Sequence, residues 1–222
     1  MRSRRQTVVI RARHDKALWE RNEAWTARRA LDLVPPHNGP RVEVLRGSVV
    51  ISPDGDYDQR TAQRELTYLF SRSCRPHGWV GWSVNLTAQD DLLVPHLAVL
   101  RQPGRGRRAM PVEAAVLLGE IGPSQVAGPG VIDRPREYAA AGVPFFLRVD
   151  LQNRIPTLAL YELADGEYRP TAAAAAGTTF VMTRPFAFSV DPAELLDEAA
   201  PLGEQGEPVG GERTAGEVDV EG

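Results

Sequence analysis

This 222-residue sequence has one cysteine, one lysine and no long apolar run. Cys74 alone excludes an intramolecular disulfide framework and a structural zinc site built on several cysteines. No stretch of about 18 apolar residues occurs, so no transmembrane helix and no membrane partner are expected. The basic start, MRSRRQTVVIRARHDK, lacks the apolar core of a secretory signal, and a cytoplasmic location is expected by default. There is no phosphate-binding Gly-rich loop with lysine, no Gly-x-Ser-x-Gly elbow and no His-x-x-x-His pair. Those absences remove the usual signatures of nucleotide, serine-ester and zinc-hydrolase chemistry. The histidines, His14, His37, His77 and His96, are scattered.

Hydrophobic residues make up 42% and charged residues 25%, ordinary values for a soluble globular domain. Lys16 is the only lysine, so arginine supplies almost all positive charge, as the codon bias of a GC-rich genome would. The net charge of -3 joins two unlike parts. Residues 197–222 hold eight acids and one arginine, a local charge of -7, which leaves +4 for residues 1–196. The acidic end is Gly-rich and poor in apolar residues, so the expected organisation is a flexible basic segment (1–14), one domain (15–197) and an acidic disordered tail (198–222).

Within the domain, Leu18, Trp19, Trp25 and Leu31 among charges predict an amphipathic helix over 15–31, stopped by Pro35 and Pro36. Val42, Val44 and Leu45, then Val49, Val50 and Ile51, flank Arg46-Gly47-Ser48 and predict a hairpin. Ala62, Leu66, Leu69, Phe70 and Cys74 predict a helix near 57–74 with Cys74 as a buried thiol. Strands are expected at 78–86, 96–101 and 113–122, with Trp79 and Trp82 as core or sheet-face packing in preference to base-stacking platforms. The third strand is almost continuously apolar, which suits a strand buried on both faces. Glu120 near its end is costly to bury unless paired, hydrogen-bonded or metal-bound. A loop then leads to a helix at 133–141 stopped by Gly142, and strands at 143–151 and 157–163. The alanine run at 172–176 reads as loop, and a strand near 178–190 and a helix near 191–197 close the domain.

Five segments occur in a telling order: VEVLRGSVVISPDGD, VPHLAVL, AAVLLGEIGPS, DRPREYAAAGVPFFLRVD and PFAFSVDPAELL. Over residues 25–197 this run resembles the Uma-type putative restriction endonuclease family of the PD-(D/E)XK nuclease superfamily, common in actinobacteria and cyanobacteria. The resemblance implies a fold of α/β (mixed α+β) class. It has a restriction-endonuclease-like core and a mixed central sheet flanked by helices, with the N-terminal helix and hairpin added. The core order would be helix, three strands, helix, strand. It also implies phosphodiester hydrolysis, with two carboxylates holding Mg2+, a lysine near the water and a polar residue from the first core helix.

Carried over by position, the acid of the third strand is Glu120. The family's other acid falls on His96, its lysine on Arg134 and its histidine on Tyr57. A serine or threonine position falls on Gly122, and a further acid on Gly130. Neutral imidazole is a poor Mg2+ ligand, and arginine stays protonated and cannot act as a base. Tyr57 is a weak base at neutral pH. Three readings stand. One is a nuclease-fold binding protein with a degraded metal site and weak or no cleavage. A second is an active endonuclease using Glu120 and His96 with Mg2+ or Mn2+. The third is a protein-interaction scaffold, in which the acidic tail masks the basic body or mimics nucleic acid. For Glu120, a buried ion pair with Arg134 is weighed equally against metal binding. Arg101, Arg105, Arg107 and Arg108 in RQPGRGRR form a candidate phosphate-gripping loop, against the plainer reading of a solvated loop. Expected partners are DNA or a protein, with a homodimer also open.

Overall fold

The computed structural model describes residues 24–33, 40–52, 55–75, 78–122 and 132–196. Helix α1 (Ala27–Leu33) precedes the hairpin β1 (Arg41–Leu45) and β2 (Ser48–Ser52), and helix α2 (Tyr57–Ser73) follows. Next come β3 (Trp79–Trp82), β4 (Leu86–Ala88), β5 (Asp91–Leu93), β6 (Leu97–Leu100), β7 (Met110–Pro111) and β8 (Ala115–Ile121). Helix α3 (Arg134–Ala140) leads to β9 (Phe145–Asp150), β10 (Thr157–Ala164) and β11 (Glu167–Ala175). The hairpin β12 (Phe180–Met182) and β13 (Phe188–Val190) and a 3-10 turn, Pro192–Leu196, complete the described chain.

The central sheet has the order β11-β10-β9-β8-β6-β3 and is mixed: β8 and β9 run parallel, the other pairs antiparallel. Helix α3 supplies the crossover that parallel neighbours require. The succession α2, β3, β6, β8, α3, β9 is the helix, three strands, helix, strand order that the resemblance implies. A second sheet, β2-β1-β5-β4-β7, is built from the N-terminal hairpin and an excursion between β3 and β6.

Two apolar layers cover the central sheet. On one face, Ala62, Leu66 and Phe70 of α2 and its C-cap Cys74 recur every four residues and pack with Leu117, Ile121, Leu147 and the β12–β13 hairpin. Asp56 caps this helix by accepting from the Gln59 N–H at 3.0 Å. Phe70 makes edge-to-face contacts with Phe186 and Phe188 at 5.1 and 4.7 Å. The buried position of Cys74 agrees with its place in the helical stripe, and burial raises the thiol's pKa. On the other face, Leu118, Tyr138 and Phe146 pack with Leu45, Leu86 and Leu93 of the second sheet.

Several expectations are corrected. Residues 24–26 are not helical, and α1 starts at Ala27, where the Ala30 N–H bonds the Thr26 carbonyl at 3.0 Å. The run 78–86 splits, because Ser83 takes a left-handed conformation (φ 49°) and diverts the chain into the second sheet. Residues 112–114 form a 3-10 turn ahead of β8. The alanines 172–175 belong to β11, which pairs with β10 through a turn at Asp165 and Gly166 with φ of 54° and 82°. Asp-Gly between alternating residues is a hairpin signal, and the small side chains of Ala172 and Ala174 fit against the core. The last strand is two strands, and the closing helix is the 3-10 turn. Trp79 and Trp82 are not core: they are 43% and 65% exposed on the edge strand β3. Residues 1–23, with Leu18 and Trp19 of the expected helix, its stop at Pro35 and Pro36, the tail 198–222, Gly130, and His14, His37 and His77 lie outside the described residues. Among the described residues, no helix is long and apolar enough to cross a membrane.

Candidate active-site cluster

Glu120 sits at the C-terminal end of β8, next to β9, and is 4% exposed. The pleat turns it away from α2 and toward the second sheet and α3. Three elements meet it there. Helix α3 begins after Asp133, whose side chain accepts from the Arg136 N–H, with Pro135 in its first turn. This start places Arg134 beside the end of β8 and Tyr138 one turn further on. Strand β1 contributes Arg41 and Glu43, two residues apart and therefore on one face. His96 lies just ahead of β6, held between this cluster and α2.

The polar contacts interlock, and among the described residues only Arg41 Nε is a buried side-chain nitrogen or oxygen without a hydrogen bond. Tyr138 Oη donates to Glu120 Oε1. Arg41 Nη1 donates to Glu120 Oε2 at 3.1 Å and to the Val94 carbonyl at 3.1 Å. His96 Nδ1 lies 2.7 Å from Glu120 Oε2. Glu43 is fully buried, and Arg134 grips it with both terminal nitrogens, Nη1 to Oε1 at 2.5 Å and Nη2 to Oε2. The Val94 N–H also donates to Glu43 Oε1 at 2.9 Å, and Arg41 Nε lies 3.5 Å from Glu43 Oε2. Two carboxylates and two guanidinium groups thus neutralise each other.

The His96 tautomer follows from its neighbours. A nitrogen 2.7 Å from a carboxylate oxygen must carry the proton, so Nδ1 donates to Glu120. Nε2 faces the Gln59 amide nitrogen at 2.5 Å and accepts from it. Arg41 Nη1 and the Ile121 N–H also lie against Nδ1, at 3.3 and 3.2 Å. Gln63, one turn along α2, donates to the His96 carbonyl at 2.5 Å.

Burial alone would raise the Glu120 carboxyl. The Arg41 guanidinium, then His96 and Arg134, outweigh it and hold that carboxyl well below the usual carboxylate range. Burial likewise opposes the charges of Arg41 and Arg134, yet their carboxylate neighbours raise both above the ordinary arginine value. Burial first, then the Glu120 charge, pushes the Tyr138 phenol well up, so it stays a proton donor.

These residues do not fit a divalent cation. Mg2+ and Mn2+ need oxygen donors with surplus negative charge. Here Glu120 Oε1 is taken by Tyr138 and Oε2 by Arg41 and His96. Neither ring nitrogen of His96 presents an open lone pair. Arg41 Nη1, held by Glu120 and the Val94 carbonyl, already supplies a positive charge against that carboxylate. Among the described residues, no group of three or more His, Cys, Asp and Glu side chains could hold a metal ion.

The structure therefore brings together three of the four expected catalytic positions, Glu120, His96 and Arg134, in a different pairing. Arg134 bonds Glu43, and the partner of Glu120 is Arg41. Tyr57 stays out: it is 67% exposed at the first position of α2, and Gln59, two residues on, reaches His96 instead. Arg101, Arg105, Arg107 and Arg108 are exposed in the loop after β6. That loop leaves the opposite end of β6 from His96, about 13 Å along the strand. Arg108 bonds the Leu31 carbonyl and lies 3.5 Å from Asp32. Arg41, Glu43, Gln59 and Tyr138 were missed from sequence. The signal for the first two was present, since Arg-x-Glu in an otherwise valine-rich strand puts two opposite charges on one buried face.

A mixed sheet with α2 and α3 in these places, and a buried carboxylate ending the strand before α3, defines a restriction-endonuclease-like protein. The chain belongs to the Uma2 family, described as "Putative restriction endonuclease", whose model matches residues 27–193. The chain is also similar to the crystal structure of a putative nuclease belonging to DUF820 from Anabaena variabilis ATCC 29413. That likeness has 15% identity and a TM-score of 0.49, and covers 69% of this chain and 84% of that one. No curated protein matches the chain.

Proposed function

We propose that this chain is a DNA-binding member of its family in which metal-dependent phosphodiester hydrolysis is weak or absent. The observation that carries this reading is the Arg41 guanidinium bonded to Glu120 and to the Val94 carbonyl. A fixed cation of the protein's own stands where the family's chemistry needs an exchangeable one, and Arg134 and Glu43 complete the neutralisation. The family supplies the class of partner, and the +4 charge of residues 1–196 suits a polyanion. Residue by residue, Glu120 and Tyr138 anchor α3 to β8, and His96 ties that centre to α2. None of them has a free base or an open ligand position.

The test is incubation of the full chain with supercoiled plasmid and with single-stranded DNA, in Mg2+ and in Mn2+, beside a binding assay at low salt. Binding without cleavage is expected. Metal-dependent cleavage that disappears in Glu120→Gln would contradict the reading and restore the active-endonuclease alternative.

A further inference from the structure

Away from the buried cluster, unpaired positive charge and an open aromatic face meet in one place. A hollow of about 870 Å³ opens at the end of β6 remote from His96, between the edge strand β3 and the loop that joins β6 to β7. Leu100 and Met110, both buried, lie at its base. Trp79 pairs with Leu100, so the indole stands on the same face of the sheet and forms one exposed wall. Exposed Arg75, Arg105 and Arg107 complete the lining. Among the described residues no aspartate or glutamate lines this hollow.

The loop that carries two of these arginines is held in shape. The Arg101 N–H donates to the Ala114 carbonyl at 2.8 Å, and the Asn85 side chain donates to the Arg108 carbonyl at 2.9 Å. At the tip, the Arg107 N–H closes a turn on the Gly104 carbonyl at 3.0 Å, with Gly106 at a φ of 75°. The Arg108 guanidinium is committed to the Leu31 carbonyl and lies 3.5 Å from Asp32. Arg75, Arg105 and Arg107 make no side-chain hydrogen bond or ion pair with the described residues, and no ring or guanidinium among those residues covers Trp79.

Like charges around one hollow repel unless an anion meets them, and guanidinium forks match phosphate oxygens. An uncovered indole beside them takes a planar ring by stacking, and every base offers one. One ring face and one group of cations suit one nucleotide, whereas a strand needs that pattern repeated along a groove. The volume is that of small-ligand sites. We infer that this hollow binds a mononucleotide, with the base stacked on Trp79 and the phosphate held by Arg105 and Arg107, Arg75 adding charge. Ser83 and Asn85, which also line it, offer a hydroxyl and a side-chain carbonyl to the sugar or the base edge. This role is independent of the DNA binding proposed above, since it needs one nucleotide and no strand.

The experiment titrates dAMP, deoxyadenosine and inorganic phosphate into the full chain by calorimetry at low salt. Trp79→Ala and the double variant Arg105→Ala/Arg107→Ala are compared with the parent, and their melting temperatures confirm the fold, because all three side chains are exposed. One dAMP per chain is expected, with deoxyadenosine and phosphate each binding about tenfold more weakly or worse. Trp79→Ala should weaken dAMP about tenfold and leave phosphate unchanged, and the double variant should lose both. No saturable dAMP binding would overturn the inference. Equal affinity for dAMP and phosphate, indifferent to Trp79→Ala, would leave an unselective anion site and overturn it too. A 5′-phosphorylated oligo(dT) that binds through Trp79 while dAMP does not would assign the hollow to a DNA end, overturning the free-nucleotide role and keeping the DNA-binding one.

Discussion

Each charged side chain of the cluster is tolerable in the interior only because another meets it. Removing one partner leaves an uncompensated buried charge, which costs about 3–5 kcal/mol. Glu43→Ala should destabilise the protein by about that amount in urea unfolding, because Arg134 loses both its bonds. Arg134→Lys should also weaken it measurably, since an ammonium cannot span two carboxylate oxygens. The lowered Glu120 carboxyl has a consequence in pH. In the unfolded chain glutamate takes up a proton near pH ~4.3, while folded Glu120 remains ionised to lower pH. The unfolded state then binds more protons, so stability is full above that pH and declines as pH falls toward the folded value. Denaturation midpoints should drop more steeply below about pH 5 in the parent than in Glu120→Gln; parallel slopes would contradict the assignment. Substituting Arg41→Ala together with His96→Asp should leave an excess of carboxylate around the Val94 carbonyl. This double variant is expected to gain Mn2+ binding by calorimetry that the parent lacks.

Among the elements, the hairpin β1–β2 matters because it delivers Arg41 and Glu43. Its turn places Arg46 and Gly47 at φ of 50° and 75°, the mirror-image turn that suits strand twist. The Gly47 carbonyl also accepts from the Trp25 N–H at 3.0 Å, and a Cβ on Gly47 would lie 2.9 Å from the Ala24 Cβ. Gly47→Ala should therefore lower stability by more than about 1 kcal/mol in urea unfolding, through both the strained φ and the close approach. A change within error would show that this turn does not fix the hairpin. The hairpin, α2 and the buried β8 were legible in the sequence because each has a strong period. The β4–β5 excursion was not, since three-residue strands carry too few positions to show alternation. The alanine strand β11 was hidden by composition, although Asp165-Gly166 marked its turn. Trp79 and Trp82 were expected in the core or on a sheet face, and they stand on the faces of an edge strand, because sequence does not tell an edge strand from a central one.

At the scale of the molecule, the second sheet does more than cover the central one. It carries Arg41 and Glu43 to the face of the central sheet that bears Glu120. Sequence named Glu120, His96 and Arg134 together, and the His96 contact with Glu120 is present, but the arginine beside Glu120 is Arg41 while Arg134 bonds Glu43. The partner that decides the chemistry, Arg41, is 79 residues from Glu120 along the chain. No local pattern reports such a contact, which depends on how two sheets stack. The central claim, that a guanidinium has replaced an exchangeable metal, is tested most directly by titrating Mn2+ into the full chain by calorimetry, with the melting temperature followed in parallel. No saturable binding and no rise in melting temperature are predicted. One stoichiometric Mn2+ site that stabilises the fold and is lost in Glu120→Gln would contradict the account.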